Sequence, residues 1–266
     1  MTSARLDAEL LAAQAFGRTR VELYTHFDQP LGDPELAAYR SLVQRRMAGE
    51  SVAYILGRKE FWSLDLQVDA RVLVPRPDTE TLVEQVLEWL KAAPDKGRAL
   101  RVADIGTGSG ALALALKKER PGDEIFAVDV SADALEVARA NANRLGLDVT
   151  FLHGDLVSPL AGLAPFDFIA SNPPYIPSQD IAGLSPEVQR EPRLALDGGE
   201  DGLALVHRLA GETRQLLAPG GALAMEIGAD QAAAAIEILR SAGWAGIGSR
   251  RDLAGIERVV FGHLGE

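Results

Sequence analysis

A chain of 266 residues, 47% hydrophobic and 24% charged, has room for one large α/β domain of about 190 residues and a small one. A formal net charge of −11 argues against general affinity for a phosphate backbone. The absence of cysteine excludes disulfides, thiolate catalysis and sulfur-built zinc or iron–sulfur sites. No apolar run approaches about 18 residues and the N-terminus carries no signal-peptide pattern, so a cytoplasmic protein without membrane association is expected. His26, His153, His207 and His263 are scattered without ligand spacing, and no metal site is expected.

Residues 6–58 read as short amphipathic helices, with Leu6, Leu10, Leu11 and Ala15 at helical spacing. Asp33-Pro34-Glu35 reads as an N-cap with proline at the first helical position, opening a helix towards Met47 that Gly49 closes. Helices this few and short are marginal alone and are expected to dock on the rest of the chain. Over 60–74, apolar and polar residues alternate through Leu64, Leu66 and Val68, the pattern of a β-hairpin or a connecting strand pair. Pro75-Arg76-Pro77-Asp78 stops that pattern, and a helix is expected over 79–91.

Strands are then expected near 100–105, 124–128, 148–153, 166–171, 220–227, 245–250 and 256–262. Helices near 109–118, 131–145, 202–217 and 229–242 lie between them. Strands alternating with helices imply a mostly parallel, doubly wound α/β sheet. Only Asp252-Leu253-Ala254-Gly255 separates the last two strands, so they form a hairpin and an antiparallel edge. The expected division is a helical domain over 1–58, a hairpin connector over 59–75 and an α/β domain over 76–266.

Two motifs carry chemistry. Asp104-Ile105-Gly106-Thr107-Gly108-Ser109-Gly110 follows an apolar strand and opens a helix; glycines there let backbone approach a ligand above a helix N-terminus. The next strand ends in Asp129, placed to accept both hydroxyls of a ribose. No Gly-Lys-Ser/Thr follows, which excludes a triphosphate P-loop. The loop and its acidic strand end resemble a class I S-adenosylmethionine methyltransferase. The second motif is Asn172-Pro173-Pro174-Tyr175, directly after the strand Phe166-Asp167-Phe168-Ile169-Ala170-Ser171. Two prolines lock φ and hold the preceding residues extended, giving a stiff turn that presents carbonyls and one carboxamide. That geometry suits a planar –NH2 group on a carboxamide or a nucleobase. On its own Asn-Pro-Pro is an ordinary turn sequence; the glycine loop upstream gives it meaning. The chain has only two other asparagines, Asn141 and Asn143.

Together the motifs resemble the PrmC/HemK protein-(glutamine) methyltransferases, which modify peptide chain release factors. The resemblance covers about residues 52–261. It includes Tyr54-Ile55-Leu56-Gly57, Glu60-Phe61-Trp62, Pro75-Arg76-Pro77-Asp78-Thr79-Glu80, the two motifs above, Glu191-Pro192 and Leu196-Asp197-Gly198-Gly199-Glu200-Asp201-Gly202-Leu203. Asp78 stands where the family usually has Glu, which keeps the charge. Leu156 stands where some members have Trp. The resemblance implies a helical N-terminal domain that recognises the substrate, a hairpin connector and a seven-stranded methyltransferase domain. It also implies methyl transfer from S-adenosylmethionine to the glutamine of a Gly-Gly-Gln motif, leaving S-adenosylhomocysteine and tuning translation termination.

On this reading the Asn172 oxygen and the Pro173 carbonyl accept the two N–H bonds of the target, and Pro174 and Tyr175 complete the substrate wall. Gly106, Thr107, Gly108, Ser109 and Gly110 line the methionine end of the cofactor, and Asp129 holds the ribose. Asp155, with Leu156 beside it and Asn172 near the methyl, faces the adenine. Asp104 orders the loop; Arg76, Glu80 and residues 197–203 are open between structure and substrate contact. The expected partner is a release factor, met by a monomer with no direct nucleic-acid contact. The competing reading is an adenine amino-group methyltransferase acting on DNA or RNA, which shares the cofactor site and the clamp. The acidic charge and the lack of a basic, aromatic-interleaved recognition segment stand against it.

Overall fold

The computed structural model describes residues 4–93, 98–163 and 165–265. The outermost residues of the expected division, 1–3 and 266, lie outside these. Four helices come first: α1 (Ala4–Phe16), α2 (Arg20–Thr25), α3 (Asp33–Met47) and α4 (Val52–Leu56). The start of α3 differs from expectation by one residue. Gly32 is its cap, Asp33 is the first helical residue, and the Glu35 carboxylate accepts from the Gly32 amide at 2.7 Å. The Glu35 carboxylate, three residues past the cap, thus satisfies the amide of the cap residue, and no side chain caps the helix, where an Asp33 side chain was expected to do so.

The helices dock through charge and packing. Arg46 bridges Asp7 at 2.9 Å and Glu187 at 2.8 Å, and Arg190 donates to the Ala48 carbonyl. A hairpin of β1 (Arg58–Phe61) and β2 (Leu64–Gln67) follows. Its two-residue turn puts Trp62 and Ser63 at positive φ, the conformation that matches strand twist but disfavours side chains. Compensation comes from Glu80, which accepts from the Trp62 amide at 3.1 Å, and from Glu60, which accepts from the Ser63 amide at 2.8 Å. Glu80 therefore ties the hairpin to the next helix. The strand pair ends at Gln67, short of the expected Val74. Asp69 turns the chain by accepting from the Arg71 amide, and residues 68–75 run on as an irregular strap. Val68, Val72 and Val74 bury that strap against Ala134 and Val137, and the Tyr54 hydroxyl donates to the Val72 carbonyl at 2.6 Å.

Beyond the strap come α5 (Glu80–Ala92), β3 (Arg101–Ile105), α6 (Ala111–Glu119), β4 (Glu124–Asp129), α7 (Ala132–Leu145), β5 (Thr150–His153), β6 (Phe166–Ser171), α8 (Ala204–Glu212), β7 (Leu217–Glu226), α9 (Ala232–Ser241), β8 (Ala245–Arg251) and β9 (Glu257–His263). The seven strands order as β5-β4-β3-β6-β7-β9-β8. The first five are parallel, and β9 runs antiparallel to β7 and β8. Alternate strand residues face opposite layers: Val102, Phe168 and Ala224 pack with α5 and α6, while Ala103, Ile169 and Leu223 pack with α8 and α9. Expected helix 202–217 is shorter, ending at Glu212, and β7 begins at Leu217 rather than near 220. The added residues include Pro219 and Gly220, which sit where the register shifts between the Phe166–Leu217 and Phe168–Ala222 pairs. No helix among the described residues is long and apolar enough to cross a membrane.

Sheet order reverses direction between β3 and β6. Connections leaving these neighbours diverge to opposite faces, which opens a crevice at their C-terminal ends. Both sequence motifs begin there, at Gly106 and at Asn172.

Asn141 joins the hairpin to this crevice. Fully buried, it accepts from the Gln67 amide at 2.7 Å and donates to the Gln67 and Ser109 carbonyls at 3.0 Å each. Asn141→Ala strands these buried groups and should cost about 2–4 kcal/mol. In a domain of this size that lowers the calorimetric midpoint by roughly 5–15 °C. An unchanged midpoint would show that the bridge contributes nothing.

Candidate active site

The glycine loop is held from below. Gly106 and Thr107 donate to the Val128 carbonyl at 2.8 and 3.0 Å, which folds the loop back over β4. Asp104, 1% exposed, accepts from the Thr107 hydroxyl at 2.7 Å and from the Ala113 amide at 3.2 Å, so one carboxylate oxygen staples the loop to the first turn of α6. Gly106 and Gly108 have φ of 75° and 56°, and a Cβ at either would meet nothing within 4 Å. Their bare backbone forms the floor of an open cavity, where a side chain would intrude on whatever binds. Gly110, expected among the lining residues, is not among those that border the three adjoining cavities. A Cβ on it would press on Leu114 and Ala138 at 3.1 and 3.3 Å, so the absent side chain also lets α6 pack closely on α7.

Asp129 ends β4 with both oxygens oriented by backbone. It accepts from the Gly108 amide at 2.8 Å and the Ser131 amide at 2.9 Å. Burial pushes its pKa up, and those amides oppose the shift. Each oxygen keeps a lone pair for a second donor. It borders a cavity of about 340 Å³ that Gly106, Gly108, Asp155, Leu156 and Asn172 also line. That volume suits a nucleoside-sized ligand, and the donor set of carboxylates and backbone suits hydroxyl and amino groups. Asp155 lies at the rim, and its carboxylate is already held by Arg208 at 2.7 and 3.2 Å, which keeps its pKa low. Leu156 beside it takes a φ of 46°, rare for a branched side chain, and lines the same cavity.

Three adjoining cavities meet at Leu73 and Asn172, which line all of them. The second cavity includes Arg76, Thr79, Thr107 and Ser109; the third includes Arg76, Pro173, Tyr175 and Leu196. Pro174 faces the first. Asn172 donates its Nδ2 to the Thr79 hydroxyl at 3.1 Å. Among the described residues, neither its Oδ1 nor the Pro173 carbonyl receives a hydrogen bond. The phenol of Tyr175 reaches inward to Glu226 Oε1 at 3.4 Å, while its ring borders the third cavity.

Residues 197–203 support the turn. Ile176 donates to the Leu196 carbonyl at 3.0 Å, Gly198 to the Ile176 carbonyl at 2.9 Å and Ser178 to the Gly199 carbonyl at 2.8 Å. Gly202 touches the turn so closely that a Cβ would lie 2.3 Å from the Tyr175 carbonyl. Arg76 pairs with buried Glu191 at 2.6 Å, and the other Glu191 oxygen accepts from the Val74 amide at 3.2 Å. This ion pair fastens the strap across the crevice.

Sequence reasoning missed several walls: Val72 and Leu73 on the strap, and Ala195, Leu205 and Arg208 beyond it. Their apolar or helical character reads as core or surface in a linear chain. It also passed over Glu226, which looks like the end of a strand.

Residues 1–57 match the family model "PrmC N-terminal domain", and residues 80–184 match "Methyltransferase small domain". A release factor glutamine methyltransferase of Bordetella pertussis is 47% identical over 262 residues, covering 98% of this chain and 95% of that protein. One of Geobacter sulfurreducens is 45% identical over 264 residues, covering 99% and 90%. Among solved structures, a methyltransferase from Pyrococcus furiosus aligns with a TM-score of 0.56 at 20% identity, covering 85% of this chain and 99% of that one. That last likeness concerns fold alone.

Burial raises the Asp104 pKa to about 7, against an ordinary value near 4. Between those values the native state holds a proton that the unfolded chain has released, so this group subtracts stability as pH rises from about 4 to about 7. Asp104→Asn keeps one acceptor and removes the titration. Its unfolding free energy relative to wild type should therefore improve over that window, by up to about 4 kcal/mol for a three-unit shift. Denaturant titrations at pH 4.5 and 7.5 measure the difference; a pH-independent gap would show that Asp104 does not titrate there.

Proposed function

The chain belongs to the release factor glutamine methyltransferase family, and on that premise we propose that it methylates the side-chain amide nitrogen of the glutamine in a Gly-Gly-Gln sequence of a peptide chain release factor. The observation that carries this reading is Asn172, at the meeting point of three cavities, with its amide nitrogen engaged and its oxygen without a partner among the described residues. When bound, S-adenosylmethionine supplies an electrophilic sulfonium methyl and is left as S-adenosylhomocysteine.

An amide nitrogen is a weak nucleophile because its lone pair is delocalised into the carbonyl. The residues available for the step position and polarise. Asn172 Oδ1 and the Pro173 carbonyl accept the two N–H bonds of the target, turn its lone pair towards the methyl and favour the positive charge that develops on nitrogen; one of the two N–H protons is then lost to solvent, which restores a neutral amide. The ring of Tyr175 walls the glutamine side chain. Pro174 stiffens the turn and closes it against the nucleoside cavity. Gly106, Thr107, Gly108 and Ser109 surround the methionine end, and Asp129 takes the ribose hydroxyls. Asp155 shares its oxygens between Arg208 and the adenine amino group, with Leu156 as the flank.

We assign residues 1–58 to recognition of the protein substrate, 59–75 to the connector and 76–266 to methyl transfer. Support comes from the docking of α3 on the segment around Glu187 and Arg190, next to Glu191 and Pro192 at the crevice. Val21, Phe27 and Met47 are 71%, 84% and 82% exposed on this domain and leave apolar side chains available to a protein partner. A net charge of −11 supports a protein rather than a nucleic-acid substrate, handled by a monomer in the cytoplasm.

Two substitutions separate the roles. Asp129→Ala should weaken S-adenosylmethionine binding about ten- to a hundredfold in calorimetry, the loss of roughly 1.5–3 kcal/mol from charge-assisted hydrogen bonds. Asn172→Ala should bind the cofactor nearly as well yet lose roughly a hundredfold in turnover. Mass spectrometry should find one methyl group on the glutamine of the Gly-Gly-Gln peptide. Methylated adenine in added DNA or RNA, with the release factor unmodified, would replace the glutamine assignment with the adenine one.

The recognition surface has its own test. Phe27→Ser combined with Met47→Ser should raise KM for the intact release factor about tenfold and leave KM for a short Gly-Gly-Gln peptide unchanged. Equal KM values for the intact factor in wild type and variant would remove these side chains from recognition.

A further inference from the structure

An asparagine clamp works only if oxygen, and not nitrogen, faces the target, because a second NH2 group would meet the glutamine N–H bonds donor to donor. The two ends of a carboxamide have nearly the same shape, so packing alone does not choose between them. The choice is made behind the clamp. Thr79, 5% exposed in the turn before α5, accepts from Asn172 Nδ2 at 3.1 Å. A hydroxyl has one proton. Whether Thr79 accepts from Asn172 or donates to it depends on where that proton goes.

Glu226 lies at the end of β7, fully buried. The Tyr175 phenol donates to its Oε1 at 3.4 Å, and its Oε2 has no hydrogen-bond partner among the described residues. The Tyr175 phenol completes a hydrogen bond to this carboxyl, and the Thr79 hydroxyl lies close enough to lower its pKa, with Arg258 on β9 and Asp78 in the turn as the nearby charges. A buried carboxylate is costly, and its burial pushes the pKa up to about 7. Nothing in the methyl-transfer step above uses this group.

We propose that Glu226 is a positioning residue for the clamp: its carboxylate draws the Thr79 and Tyr175 hydroxyl protons inward, so that Thr79 can only accept from Asn172 Nδ2 and Asn172 must present Oδ1. Glu226 touches neither substrate nor cofactor in this arrangement; it acts through Thr79 on one end of the Asn-Pro-Pro-Tyr turn and through the phenol on the other. Removing the carboxylate frees the Thr79 proton to bond Asn172 Oδ1, and the carboxamide turns over. The inference rests on the glutamine-clamp reading of Asn172.

The test measures kcat and KM on release factor, and cofactor affinity by calorimetry, for wild type, Glu226→Leu, Thr79→Val, Thr79→Ser and the Glu226→Leu/Thr79→Val double variant. Glu226→Leu and Thr79→Val should each lower kcat about tenfold or more, with cofactor affinity within about twofold of wild type. Thr79→Ser, which keeps the hydroxyl, should stay near wild type. The double variant should be no worse than the more impaired single one, because both break one chain of bonds. Wild-type kcat in Glu226→Leu, or losses that multiply in the double variant, would overturn the proposal. Should Glu226→Leu fail to fold, the Thr79 pair decides: equal kcat for Thr79→Val and Thr79→Ser overturns it. A wild-type protein that leaves the release factor unmethylated overturns the clamp reading itself, a result distinct from normal methylation by Glu226→Leu.

Discussion

Ile105 and Ser171 stand opposite one another at the ends of two parallel strands, and the Ser171 hydroxyl donates to the Ile105 carbonyl at 2.7 Å. From this pair the chain departs in two directions, into the glycine loop on one side and the Asn-Pro-Pro-Tyr turn on the other. A parallel sheet has its crevice where the strand order reverses, and β3 and β6 flank that point. The cofactor side and the substrate side are therefore adjacent by topology. Positions 67 residues apart in sequence, Ile105 and Asn172, come within one crevice without either motif containing information about the other.

Around that crevice, buried carboxylates do the fastening. Asp104 holds the glycine loop to α6, Asp129 holds it to α7, Glu191 holds the strap, and Glu226 sits under the turn. Each costs desolvation, and for Asp104, Asp129, Glu191 and Glu226 burial pushes the pKa up. A core built for stability alone would use apolar residues here. Four such groups around one crevice, each spending its acceptors on loop amides, arginine or hydroxyls, mark a site where loop geometry is worth more than the stability lost. The segment Gly198 to Gly202 belongs to the same effort by a different means. It presses bare backbone on the turn, at a distance no side chain would permit.

The N-terminal helices relate to the crevice through the strap. Tyr54 anchors the strap at Val72, and the strap supplies Leu73 to all three cavities. The helical domain is thus mechanically continuous with the site. Its contacts at Glu187 and Arg190 reach the segment that leads to Glu191, so two separate routes join the helices to the strap's ion pair.

Local order in the chain was enough for the elements with strong periodicity. Strands 101–105, 124–129 and 166–171, the glycine loop, Asp129 at a strand end and the stiff turn at Asn172 were all legible, because each depends on residues a few positions apart. Where long-range contact competes with local preference, the reading slipped. The strand expected near 220 begins at Leu217, because pairing with β6 extends it through an irregular register. The alternation over 60–74 signalled strands, yet burial on α7 made its second half a strap. The residues that only the tertiary structure could assign are those whose partners are remote: Arg76 with Glu191, Asn141 with Gln67, and Thr79 between Asn172 and Glu226. A glutamate at the end of a strand carries no local signal of its use. Its burial, and the hydroxyls that meet it, exist only once the sheet and the turn have closed over it.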